Sequence, residues 1–350
     1  MSRRRRHLVQ AACAVLLAVI GFGLVRLAER SDAAEVRYAA NLNCLYRQVF
    51  RQSGPVSIAI FGTSRTKWGI SPTGLARGLG PPKLEHPILN AGRSFRGTDF
   101  MYQQLLDVAA NRGITRAVIV EVALPPEPTF RMADSPFQYD YYRNFSGAVT
   151  MDRLLADLET RPSEPVHWRL RDLGEQLRRR LDLNVEYLVT GKPDLNEALP
   201  AAERPLGTRH GDCSGGDRRY RPRAIRQDEA EHVQPGTRWT DQDPITTDFE
   251  NPLWERELFY LRAFRAWGEE HEIPVVFVLV PRRVDPLVDP SLPARFEELV
   301  GAPLFVAPLA VREATYPNGY SDSAHLNKRG RAAYTAWLAE AIRPVVNPAP

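Results

Sequence analysis

Compact apolar runs alternate with segments of helical periodicity along this chain. Val56–Phe61 reads VSIAIF and stops at Gly62, which predicts a strand buried on both faces of a parallel sheet. Similar runs lie at 87–90, 117–124, 274–280 and 304–307, the second of these halted by Pro125 and Pro126. Helical patterns fall between them at 99–111, Leu253–Glu270, 293–300 and 328–342, after a helical connector that ends near Gln52. Strands alternating with helices predict an α/β sandwich built on a mainly parallel sheet.

Between about 127 and 252 the pattern turns aromatic, proline-rich and arginine-rich, which predicts an insertion or cap. It holds one amphipathic helix, on which Leu170, Leu173, Leu177 and Leu181 recur on one face. Residues 207–243 are poor in aliphatics and predict a long irregular segment. Arg178, Arg179 and Arg180, with the later Arg218, Arg219, Arg221 and Arg223, read as a solvated face; an anionic polymer or lipid headgroups are the sharper alternative. The sequence contains no internal repeat.

The N-terminus has a pattern of its own. Arg3 to Arg6 precede an apolar run at 11–25, and Arg26 and Arg30 follow it. With its shoulders the run spans about 21 residues, enough for a hydrocarbon core of roughly 30 Å, with the first arginines on the cytoplasmic side and the rest of the chain outside. A single-pass anchor in the bacterial cytoplasmic membrane, its C-terminal part periplasmic, is the expectation. A cleaved signal peptide, with small residues near 31–34, is the competing one. Cys13 lacks the aliphatic neighbour of a lipobox and falls too early in the run. The chain thus divides into an anchor at 1–30, a connector at 31–52, an α/β domain at 53–126 and 253–350, and the insertion at 127–252.

Composition, at 43% hydrophobic and 25% charged, suits a globular core. The sequence pI near 9.0 invites a nucleic-acid partner, but residues 1–30 carry six arginines and one glutamate, +5 of a whole-chain +4. The remainder is close to −1 (4 minus 5), so the folded part has no basic footprint and no nucleic-acid partner is expected. Cys44 and Cys213 outside the leader could pair in an oxidising compartment or stand as two separate thiols, and both readings stay open. His210 and Cys213 have no second pair nearby, so no metal site is read there.

Two short motifs carry candidate chemistry. Ile60-Phe61-Gly62-Thr63-Ser64-Arg65 runs from a strand straight into Gly-x-Ser, putting a serine at a strand's carboxyl end beside a helix N-terminus. Alone, it is equally an ordinary turn and N-cap. Near the other end, Tyr320-Ser321-Asp322-Ser323-Ala324-His325-Leu326-Asn327 precedes a helix that Asn327 can cap. An aspartate three residues before a histidine can fix the tautomer of an imidazole that takes a hydroxyl proton; alone, it is equally a solvated loop.

Together the two motifs resemble the first and last sequence blocks of the GDSL/SGNH hydrolases, and they bracket nearly the whole α/β domain. The resemblance implies a three-layer α/β/α, flavodoxin-like sandwich with Ser64 as nucleophile and Asp322 and His325 completing its triad. The α/β-hydrolase pattern would instead show Gly-x-Ser-x-Gly. The family's second block supplies an oxyanion-hole glycine, and the stretch from Leu89 to Gly97 stands in its place, with Gly97 the lead candidate and Gly92 the alternative. Either glycine could equally serve a turn. The third block's Gly-x-Asn-Asp is replaced by Glu121-Val122-Ala123-Leu124-Pro125-Pro126, so its asparagine donor is missing. Losing one such donor costs roughly 3 to 4 kcal/mol of transition-state stabilisation.

This departure, with an N-terminal anchor, is similar to the branch that modifies bacterial cell-surface polymers, including alginate-acetylation and teichoic-acid D-alanylation proteins. The resemblance implies an esterase or O-acyltransferase acting on acyl esters of a cell-surface polysaccharide, a membrane-bound O-acyltransferase partner, and neither metal nor organic cofactor. A non-catalytic protein of the same fold, binding glycan or scaffolding an export complex, is the alternative. His86, His167, His210, His232 and His271 join no constellation and read as structural or solvated.

Overall fold

The computed structural model describes residues 52–92, 97–123 and 253–347, except 284, 286, 317 and 323, together with Leu45, Gln48, Val49 and Phe249. The chain divides into two compact units, Met1–Tyr46 with Met132–Ala202, and Arg47–Arg131 with Glu203–Pro350. Every element described below belongs to the second. The predicted anchor, both cysteines outside it and nearly all of the 127–252 insertion lie outside the described residues. Among the described residues no helix is long and apolar enough to cross a membrane.

Five strands, β1 (Val56–Phe61), β2 (Ile88–Asn90), β3 (Ile114–Glu121), β4 (Val275–Leu279) and β5 (Leu304–Val306), form one sheet in the order β2-β1-β3-β4-β5. All four pairings are parallel. All of β1 and β4 is buried, as near-continuous apolar sequences require of strands covered on both faces, and the one polar side chain of β1, Ser57, accepts His86 N–H.

Alternate side chains feed two cores. On one face Ile58, Ile60, Ile88, Ala117, Ile119, Val276 and Val278 pack with Leu75 and Leu79 of α2 (Pro72–Leu79) and Tyr334, Leu338 and Ile342 of α7 (Lys328–Val346). On the other, Phe61 meets Phe264 of α4 (Leu253–Glu270), and Tyr102 of α3 (Thr98–Asn111) stands edge-on to the same ring at 5.3 Å. Phe277 meets Phe296 of α5 (Leu292–Val300) at 5.3 Å. Two short helices, α1 (Ser64–Gly69) and α6 (Leu309–Thr315), complete the set. The protein is therefore an α/β fold with a parallel five-stranded sheet between helical layers.

Several boundaries differ from the apolar pattern. β3 starts at Ile114, three residues before 117, because pairing with β1 begins at Val56↔Ile114 and polar Thr115 and Arg116 disguise the start. α7 runs past 342 to a buried Val346, through Pro344. Neither α2 nor α6 is signalled by the pattern. In α2, Gly74 and Gly78 read as breakers, yet Ser71 caps the helix, Pro72 opens it, and the glycines face α7. A Cβ on Gly78 would lie 2.5 Å from Ala339 Cβ, so the missing side chain is what lets the two helices close.

The sheet order sets where a site can form. From β1 the chain goes to one side as β2 and returns to the other as β3, so a crevice opens past the carboxyl ends of β1 and β3, where such sheets bind ligands. The register sets Phe61, Asn90 and Glu121 near one edge, with Ile60 opposite Asn90 and Phe61 opposite Val120.

Gly78→Val is expected to lower stability by about 1–3 kcal/mol, because α2 must back away from α7 to admit the branch. A denaturation midpoint equal to the wild type's would show that the close approach is dispensable.

Candidate active site

Ser64 stands just past β1 at the first position of α1, and the turn that holds it is tied on every side. Thr63 caps the helix, its Oγ1 accepting from Arg65 N at 3.1 Å. From the end of β3, the buried Glu121 carboxylate accepts Thr63 N–H at 2.7 Å, Thr66 N–H at 3.3 Å and the Thr66 hydroxyl at 2.6 Å. It also accepts the Thr63 hydroxyl at 3.0 Å and pairs with Arg65 Nε at 2.8 Å. Gly62 makes room for this packing, since a Cβ there would lie 2.2 Å from Thr66 Oγ1 and 2.6 Å from Glu121 Oε2.

The far end of α1 is held from β2. Asn90 Nδ2 donates to Thr66 O at 3.1 Å and Ile70 O at 3.0 Å, while its Oδ1 accepts Gly92 N–H at 3.0 Å. Each carbonyl also takes a second donor, Ile70 N–H on Thr66 O at 3.1 Å and Arg331 Nη2 on Ile70 O at 3.0 Å, so this helix end is fully satisfied.

Asp322 and His325 share a loop closed on itself. Tyr320 bridges Leu326 in antiparallel fashion, and Ser321 N–H donates to His325 O at 2.9 Å. Asn327 then caps α7, with Oδ1 accepting Arg329 N–H and Gly330 N–H, while its Nδ2 reaches back to Tyr320 O at 3.1 Å. The Tyr320 hydroxyl, pushed up to about 12 chiefly by burial, remains a donor and reaches Pro281 O at 3.4 Å.

Within this frame, Ser64 Oγ lies 2.8 Å from His325 Nε2, and His325 Nδ1 lies 2.8 Å from Asp322 Oδ2 and 3.0 Å from Oδ1. Asp322 Oδ1 also accepts Ala324 N–H and His325 N–H, each at 2.8 Å. Desolvation opposes charge on Asp322, but the His325 side chain and these two N–H groups outweigh it and hold the carboxyl below its ordinary range. An ionised carboxylate has no proton to give, so Nδ1 of a neutral His325 carries the hydrogen and Nε2 accepts from the Ser64 hydroxyl. The side chains of His325 and Asp322 are 23% and 32% exposed, and Ser64 is half-buried.

The three residues singled out in the sequence as a possible triad are therefore in hydrogen-bonding sequence. The two glycines are placed differently from each other. Gly92 spends its N–H on Asn90, and a Cβ there would meet Lys67 N at 2.6 Å; Gly97 is the N-cap of α3 and has no side chain to cap it. In the first turn of α1, Arg65, Thr66 and Lys67 N–H groups all have acceptors, whereas Ser64 N–H donates to none among the described residues. Two contributors escaped the sequence reading, Glu121 and Asn90. Their signal was a polar residue closing an apolar strand, VIVE and ILN.

Among the described residues no group of three or more His, Cys, Asp or Glu could hold a metal ion. His271 stacks on Trp267 at 4.4 Å, and His86 N–H donates to Ser57 Oγ; His167, His210 and His232 lie outside the described residues. No family model, curated protein or solved structure matches the chain.

Because the Asp322 carboxyl is lowered in the folded chain, the unfolded chain binds more protons, and stability rises with pH across the gap. The advantage of the wild type over Asp322→Asn should be full above about pH 4, the unfolded value, and fade as acid titrates the folded carboxylate below it. Denaturation midpoints of both proteins measured between pH 3 and 7 check this; a difference that grows toward pH 3 would contradict it.

Proposed function

We propose that this protein is a membrane-tethered, extracytoplasmic serine esterase or O-acyltransferase of the GDSL/SGNH type, acting on acyl esters of a cell-surface polysaccharide. The observation that carries the reading is the unbroken chain from Ser64 Oγ through His325 to the Asp322 carboxylate. The 2-1-3-4-5 parallel order, which is that of flavodoxin-like sheets, adds support, as does the serine's position at the switch between β1 and β3.

In this mechanism Ser64 Oγ attacks the acyl carbonyl carbon as its proton passes to His325 Nε2. Asp322 balances the imidazolium. The tetrahedral oxyanion takes the Ser64 N–H and a second backbone N–H, with Gly97 the foremost candidate. Collapse breaks the ester bond, and His325 returns the proton to the departing alkoxide oxygen. Water or a sugar hydroxyl, deprotonated by His325, then attacks the acyl-serine and restores Ser64. An acetyl group fits the divergent branch that the sequence resembles; a membrane-bound O-acyltransferase would load such an enzyme, and the chemistry calls for no metal or organic cofactor. The basic flank and apolar run at the N-terminus support tethering at the outer face.

A second reading, a non-catalytic glycan-binding or scaffolding protein, is favoured by one feature. Where the family offers an asparagine donor after the third strand, this chain has Glu121 turned into the α1 turn.

Full-length protein should react with a fluorophosphonate and cleave an activated acetyl ester. Ser64→Ala should reduce cleavage at least about 1,000-fold, and Asp322→Asn about 100- to 10,000-fold. Equal labelling of Ser64→Ala would overturn the assignment of the nucleophile. Absence of any serine-dependent signal, also with an acetylated oligosaccharide and an acceptor glycan, would favour the scaffold.

A further inference from the structure

Glu121 is a charged group sealed in the core, and a buried ion pair rarely outperforms apolar packing as a source of stability. Its partners suggest a different use. Five donors reach the carboxylate: the N–H and hydroxyl of Thr63, the N–H and hydroxyl of Thr66, and Arg65 Nε. All belong to the turn that carries Ser64. The carboxylate thus grips the residue before the serine and the two after it, and leaves the serine alone.

That selection has a chemical result. The first amides of a helix compete for any nearby anion. Thr63 and Thr66 N–H groups are consumed by Glu121, Arg65 N–H by Thr63 Oγ1 and Lys67 N–H by Thr63 O. Among the described residues, Ser64 N–H is the amide of this turn that keeps no acceptor and so stays available to a developing oxyanion. The same grip fixes Ser64 Cα at the distance from α7 at which Oγ meets His325. The Arg65 guanidinium offsets the buried charge, so the anion does not repel an oxyanion forming a residue away.

We propose that Glu121, paired with Arg65, is a positioning residue that holds the nucleophile turn so that Ser64 alone presents its hydroxyl to His325 and its N–H to the reacting oxygen. The inference rests on the serine-hydrolase reading for its chemistry, but its geometric half can be measured separately. Glutamine at 121 cannot reproduce the arrangement. Whichever way its amide turns, an NH2 group faces either Arg65 Nε–H or the threonine N–H groups, donor against donor.

The test uses the full chain with isotope-labelled histidine and reads the His325 ring by NMR, with Ser64→Ala as the reference lacking the Ser64–His325 bond. Glu121→Gln should move the His325 resonances toward the Ser64→Ala values. It should also lower kcat on the activated acetyl ester about 100-fold, with KM nearly unchanged. Thr66→Val, close in shape and missing one donor, should shift the same resonances less and lower kcat about 3- to 10-fold; it carries the test if Glu121→Gln does not fold. Folded variants with wild-type His325 resonances and wild-type kcat would overturn the proposal, as would a loss confined to thermal stability. If the wild type shows no Ser64-dependent turnover while Glu121→Gln still moves the ring toward the Ser64→Ala values, the hydrolase reading falls and the positioning role stands.

Discussion

The 2.8 Å contact between Ser64 and His325 joins residues 261 positions apart, and it depends on two distant elements being held together. Two anchors bring it about. The parallel sheet delivers the end of β1 to the crevice, and α7 carries the His325 loop to the same place. α7 is fastened to the end of the serine's helix and to the start of α2 as well as to the sheet: Arg331 Nη2 donates to Ile70 O at 3.0 Å, Thr335 Oγ1 donates to Gly69 O at 3.4 Å, and the same oxygen accepts Ser71 N–H at 3.1 Å. Tyr334, wholly buried, donates to Leu279 O at 2.9 Å and ties the same helix to β4.

Two carboxylates flank the serine and are put to opposite uses by their surroundings. Asp322 is partly exposed and turned toward a titratable ring. Glu121 is sealed from solvent and turned toward backbone and hydroxyl donors, which do not titrate under ordinary conditions. One acid therefore orients an imidazole and the other fixes the shape of a turn.

The sheet was readable from sequence because its strands are apolar on both faces, and the two loops because serine, aspartate and histidine stand at recognisable strand and helix ends. What escaped depended on contacts between distant elements. The glycines of α2 look like breakers until Ala339 is seen against Gly78. Glu121 reads along the chain only as the polar close of an apolar strand, since sequence does not report which donors a carboxylate collects. Asn90 was legible as a strand end and illegible as a cap, because the carbonyls it serves belong to residues 66 and 70 on another element.

The closed loop that carries Asp322 and His325 has a bearing on biosynthesis. Its internal bonds span only a few residues, so acid and base can find one another locally once that stretch has emerged from the ribosome. The serine is made some 261 residues earlier and must wait for them. Throughout translation the growing polypeptide therefore holds Ser64 without its imidazole partner, and the contact forms only after the last helix docks.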